Sequence, residues 1–146
     1  MISLNRFVEF NTVKFLQDSK HWESRKKRLQ AELDAITEIK ARSDDSPGRS
    51  SGKISDPVAN VAAERIKIKT QINRIEQYEE ALAYGRSTLS EEQNAVLDAF
   101  FFDGGYISHN VDVLSYKYNV TPRSIYTMRR EAIDSLRRII TETYFE

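Results

Sequence analysis

Four aliphatic residues spaced seven apart, Val61, Ile68, Ile75 and Leu82, constrain this chain more than any other feature, and Ile72 lies between them. A seven-residue apolar repeat returns to one face of an α-helix every two turns and does not fit the two-residue alternation of a strand. It predicts a helix from about Pro57 to Tyr84, which at ~1.5 Å per residue extends about 40 Å. Its apolar stripe is narrow and needs a partner.

The nearest partner precedes it. From Leu4 to about Arg42 the sequence reads as helix, either continuous or interrupted, with Phe7, Phe10, Phe15 and Leu16 early, then Trp22, Leu29, Leu33, Ile36 and Ile39 at helical spacings. Pairing the two stripes gives an antiparallel, coiled-coil-like helical hairpin, although the same seam suits pairing with another copy of the chain, a homodimer. The run "SRKKR", Ser24 to Arg28, sits between the apolar sets and reads first as a solvated helix face, with phosphate contact as the minority reading. "SDDSPGRSSGKISDP", residues 43–57, breaks the periodicity and is expected to be a mobile loop. At its end Asp56 can cap a helix that starts with Pro57, where a missing N–H costs nothing.

Composition agrees with helices throughout. With 30% charged residues, five glycines and three prolines, an all-α fold is expected. Cysteine is absent and only His21 and His109 supply imidazole, so disulfides, metal sites and cofactors are not expected. Nothing in "MISLNRFVEF" resembles a signal peptide, and no stretch has the ~20 apolar residues of a membrane span, so a cytoplasmic protein of a bacterial host cell, with no membrane partner, is expected. The 22 positive charges equal the 22 negative ones, so nucleic-acid binding would require local clustering. Such clustering exists after Arg86, where Lys117, Arg123, Arg129, Arg130, Arg137 and Arg138 share one segment with only Glu131 and Asp134.

A second unit begins after "GRST", Gly85 to Thr88, where glycine is read as ending the long helix. The boundaries are therefore 1–86 for the hairpin and 87–146 for the C-terminal domain. "SEEQ", Ser90 to Gln93, is a capping box, and the helix it opens continues through Val96, Leu97, Phe100 and Phe101 to "DGG", Asp103 to Gly105. A short helix follows at roughly Asn110 to Tyr118. Asn119 tolerates a left-handed turn, and Thr121 with Pro122 caps the last helix.

On that last helix Ile125, Met128, Ala132, Leu136 and Ile139 mark a buried face. Arg123, Ser124, Tyr126, Thr127 and Arg130 fall on the other faces near its start. A helix that packs by one side and offers Arg, Ser, Thr and Tyr from its first turns matches the recognition helix of a helix-turn-helix, which meets base edges with its N-terminal residues. Arg123 and Arg130 suit guanine edges or phosphates, Ser124 and Thr127 suit either, and Thr121 with the N–H groups of Ser124 or Arg123 suits a phosphate.

"LSEEQNAVLDAFFFDGG", Leu89 to Gly105, resembles the opening of sigma-factor region 4, and "LSYKYNVTPRSIYTMRREAIDSLRR", Leu114 to Arg138, resembles the helix-turn-helix that follows it, with Leu114, Tyr118, Val120, Ile125, Ala132 and Leu136 matching the core pattern. The resemblance implies that Pro122, Arg123, Ser124, Tyr126 and Thr127 face the major groove of a promoter −35 element. Ser115 stands where the family usually has alanine and Asn119 where it has glycine, and the link from Gly105 to Leu114 is about three residues longer than typical. The resemblance ends at about Ile140 and nothing before Leu89 resembles the promoter-melting sigma region. The whole arrangement is similar to small phage transcriptional activators of the RinA and ArpU type, which implies a phage or prophage regulator acting on double-stranded DNA with RNA polymerase. Two other classes fit a helical hairpin with a helix-turn-helix: a small terminase-like DNA-packaging protein, or a helical adaptor that never meets DNA. An enzyme is not expected, because Asp44 with Asp45, Glu79 with Glu80 and Glu91 with Glu92 are neighbouring acids on exposed or flexible chain without further ligands.

Overall fold

The structure, a computed structural model, describes residues 10–44 and 57–144, with side chains described for 10–37 and 59–144. The described residues are helical and contain no strand, which agrees with the all-α expectation. In chain order the elements are α1 (Thr12–Ser19), α2 (Trp22–Asp44), α3 (Pro57–Thr88), α4 (Glu91–Leu97), a π-helical turn (Asp98–Phe102), α5 (Ile107–Tyr118) and α6 (Pro122–Tyr144). Most of the loop expected at 43–57, including Asp56, lies outside the described residues, as does Phe7. No helix among the described residues is long and apolar enough to cross a membrane.

The chain divides into two compact units, His21–Gln77 and a second made of Met1–Lys20 with Tyr78–Glu146, so α3 runs through both. In the first unit α2 buries Trp22, Leu29 and Leu33, and α3 buries Ile68 and Ile75. These are the expected stripes, narrower than the sequence spacing suggests, since Val61, Ile72 and Ile36 are only half-buried. The long predicted helix from Leu4 is interrupted at Lys20 and His21, which separates α1 from α2.

The second unit is organised on α6. Its inner side carries Ile125, Ala132, Leu136 and Ile140, all fully buried. Each of the three large ones contributes roughly 1.5–3 kcal/mol by leaving water. The N-terminal half of this face meets a cluster of Val96, Ala99, Val111 and Leu114 from α4, the π turn and α5. The C-terminal half meets α1 and the end of α3. Ile140 is buried where the sequence pointed to Ile139, which is only half-buried. At a period of 3.6 either residue continues the stripe, and packing around the end of α3 selects Ile140.

Gly85 does not end α3. The helix continues to Thr88, and a β-carbon on Gly85 would stand 2.5 Å from Leu136 Cδ1 and 3.4 Å from Ile140 Cγ1. The glycine therefore permits two helices to approach closely, where the sequence alone suggests a stop. Arg86 fixes the same junction: its guanidinium donates to Asn94 Oδ1 at 3.1 Å and to Asp98 Oδ1 at 2.6 Å, and lies 5.0 Å from the Phe102 ring centre.

The capping box at Ser90 is formed: Gln93 N–H donates to Ser90 Oγ at 3.1 Å and Ser90 N–H to Gln93 Oε1 at 3.0 Å. After Leu97 the helix widens, and Asp103 N–H reaches back to Asp98 C=O at 2.7 Å. That wider turn spreads the successive phenylalanines over different neighbours. Phe101 is buried, Phe102 lies under Arg86, and Phe100 leans toward α6. Gly104 and Gly105, at φ of 73° and 74°, then reverse the chain as a side-chain-bearing residue rarely does. Asn110 holds the reversal by donating to Ala99 C=O at 3.0 Å and Gly104 C=O at 2.9 Å. The next helix starts at Ile107, three residues before the expected Asn110. Those residues extend α5 by about one turn.

Candidate nucleic-acid interface

The start of α6 is positioned by the turn before it. Asn119 takes φ 53° and ψ 49°, the only non-glycine residue with positive φ among the described residues. Its N–H bonds to Tyr116 C=O at 3.3 Å, and Val120 N–H bonds to Ser115 C=O at 3.0 Å. Ser115 Oγ also donates to Val120 C=O. Ser115 and Asn119, the two residues that depart from the sigma-like pattern, thus act together in closing this turn.

Thr121 caps α6 as expected, its hydroxyl accepting from Ser124 N–H at 3.2 Å and lying 3.0 Å from Ser124 Oγ. This narrows the expected phosphate grip. Pro122 has no N–H and Ser124's is used by the cap, so among the first three helical positions only Arg123 N–H lacks a partner among the described residues.

The side chains of the first turns separate by face. Arg123, Thr127 and Arg130 are spaced i, i+4 and i+7, and all three are exposed on the side opposite buried Ile125. Thr127 Oγ1 donates to Arg123 C=O at 3.2 Å, which holds its hydroxyl against the helix backbone. Neither Arg123 nor Arg130 has an acidic partner among the described residues. Thr121 and Pro122 are exposed and Ser124 is half-buried. Tyr126 is 48% exposed, and its ring meets Phe100 edge-on at 5.4 Å. Of these side chains only Tyr126, against Phe100, and half-buried Ser124 are partly covered. The structure thus brings Thr121, Pro122, Arg123, Ser124, Tyr126, Thr127 and Arg130 to one end of one helix.

Arg129 behaves differently from its neighbour Arg130. Its guanidinium lies 5.1 Å from the Phe100 ring centre and 5.5 Å from that of Phe101. Its Nε is buried without a hydrogen-bond partner, so the aromatic faces compensate for part of its lost hydration. Arg129 therefore fastens α6 to the π turn, and Arg123 and Arg130 are the cations left outward. Phe100 is a support for the site that sequence reasoning misses. The aromatic run at 100–102 is the available signal, but the π turn that aims Phe100 at Tyr126 has no sequence pattern of its own.

The site has no enclosed cavity. Two shallow depressions among the described residues lie elsewhere on α6, about 470 Å³ beside Phe10, Thr12, Ile133 and Arg137 and about 350 Å³ beside Arg138, Thr141 and Glu142. Among the described residues no three His, Cys, Asp or Glu side chains gather as metal ligands. An open, cationic, hydroxyl-bearing helix start can contact an extended anionic surface and does not enclose a small molecule. Comparison with protein-family models, curated proteins and solved structures finds no match to this chain.

Proposed function

We propose that the chain is a sequence-specific, duplex-DNA-binding transcription regulator of phage or prophage type, with α5, the Asn119 turn and α6 as its helix-turn-helix. The observation that carries this is the separation of faces on α6. Ile125, Ala132, Leu136 and Ile140 hold the helix from inside, while Arg123, Thr127 and Arg130 stay exposed on the outside, the two arginines without an acidic partner among the described residues. The stripe spans seven residues, about 10 Å at ~1.5 Å each, a length that fits within the major groove of B-DNA, ~12 Å wide. Arg123 and Arg130 read guanine edges or bind phosphate, and Thr127, Ser124 and Tyr126 complete the contact. Arg123 N–H is available to a phosphate at the helix start.

In this reading α2 and α3 pair as an antiparallel hairpin through Trp22, Leu29 and Leu33 against Ile68 and Ile75. The hairpin serves dimerisation or contact with RNA polymerase. Selection from randomised duplex DNA tests the proposal. A recovered motif supports it, and repetition of half-sites reports the symmetry of the bound form. No enrichment after several rounds at low salt refutes it.

A further inference from the structure

The contacts proposed on α6 leave unused the basic run of α2, and α3 carries a matching set of cations. Arg25, Lys27, Arg28, Lys67, Lys69 and Arg74 are exposed, and none has an acidic partner among the described residues. Lys26, by contrast, lies 3.8 Å from Glu23.

Their placement around the helices is uneven. At ~100° per residue, Arg25 and Arg28 lie about 60° and 120° to one side of the Trp22–Leu29–Leu33 stripe. Lys67 and Arg74 lie about 100° and 120° from the Ile68–Ile75 stripe in the same sense. In an antiparallel pair, residues displaced in the same sense from the two seams share one side, because inverting a helix reverses its apparent rotation. Were the buried residues of the two helices to pair in the register that faces Trp22 with Ile75 and Leu29 with Ile68, Arg25 and Arg28 would lie alongside residues 69–72, between Lys67 and Arg74. Four cations then form a band about 10 Å long. Glu32 and Glu64, the acids on that side, fall beyond one end of it. The opposite side mixes Lys27 and Lys69 with Glu23, Asp34 and Glu76.

We propose that this band binds the phosphate backbone of duplex DNA without regard to sequence. Unneutralised like charges held together repel one another in the free protein, and a polyanion relieves that repulsion. A 10 Å band spans about three phosphates of one strand at ~3.4 Å per phosphate along the axis. The inference rests on the antiparallel pairing of α2 and α3 and does not require α6 to read bases.

The test titrates the full chain on random-sequence duplex DNA across a range of salt, with circular dichroism confirming that each variant keeps its helices. For Arg25→Gln/Arg28→Gln/Lys67→Gln/Arg74→Gln the slope of log affinity against log salt becomes shallower by ~0.9 for each phosphate left unneutralised, up to about 2.7 for the three that the band spans. A charge-matched comparison locates the effect: Arg25→Gln/Arg74→Gln lowers affinity at least about tenfold more than Lys27→Gln/Lys69→Gln. Equal losses in the two pairs overturn the band, as does an unchanged slope in the fourfold variant or a wild type that ignores duplex DNA at low salt. Preferential loss of single-stranded RNA binding in that variant overturns the duplex assignment. Failure of base reading by α6 has a different signature, namely absence of a preferred sequence with this slope intact.

Discussion

Asn119 is the residue on which the orientation of α6 depends most directly. It holds φ 53° and ψ 49° with the turn's hydrogen bonds on both sides. This conformation costs a residue with a β-carbon roughly 1–2 kcal/mol, and asparagine less because its side chain bonds locally. Asn119→Ala is therefore expected to destabilise by about 1 kcal/mol. Asn119→Gly removes the steric cost but adds about 0.5–1 kcal/mol of unfolded-chain entropy, so it comes out near neutral. In a chain of this length 1 kcal/mol corresponds to about 3–5 °C in melting temperature. Thermal unfolding followed by far-ultraviolet circular dichroism reads the order: wild type and the glycine variant together, the alanine variant lower. An alanine variant as stable as wild type, or a glycine variant below alanine, refutes the account of this turn.

Gly85→Ala is expected to forfeit the ~1 kcal/mol that alanine normally adds in a helix interior, because displacing fully buried Leu136 costs about 1–3 kcal/mol. A melting temperature above wild type contradicts the close approach. Thr121→Val keeps the shape of the side chain but removes the acceptor for Ser124 N–H, and it should cost about 1 kcal/mol by the same melting assay. An unchanged melt excludes a capping role. The chain has no cysteine, so Leu29→Cys with Ile68→Cys supplies the only thiols. Oxidation giving a crosslink at monomer mass supports the α2–α3 hairpin, a crosslink at dimer mass assigns the seam to a second copy, and no crosslink rejects the register.

Local chemistry carries much of this structure in the sequence. The Ser90 capping box, the left-handed Asn119, the Thr121 cap and the inward residues Ile125, Ala132 and Leu136 each follow from residue type and spacing, and each is present. What escapes depends on residues distant in the chain. Gly85 has the local mark of a helix end, yet α6 determines its role through Leu136 and Ile140. The same packing chooses Ile140 over Ile139. The π turn gives no apolar period of its own, so the support that Phe100 gives to Tyr126 and Arg129 is not legible in the sequence. The outward set at the start of α6 is legible because a helix that buries one stripe must leave the other faces to its polar residues. Helical spacing also separates Arg130 from Arg129, since at ~100° per residue Arg130 falls away from the Ile125 stripe and Arg129 toward it, but the rings of Phe100 and Phe101 that receive Arg129 are not legible.

The central claim is that the outer side of α6 discriminates between DNA sequences. Wild type and Arg123→Ala/Thr127→Ala can be compared at one salt concentration on a selected duplex and on a random one of equal length. The account predicts that the double variant loses about 2–6 kcal/mol on the selected duplex, at roughly 1–3 kcal/mol for each base contact, and much less on the random one. Equal losses on both duplexes, or none on either, contradict it.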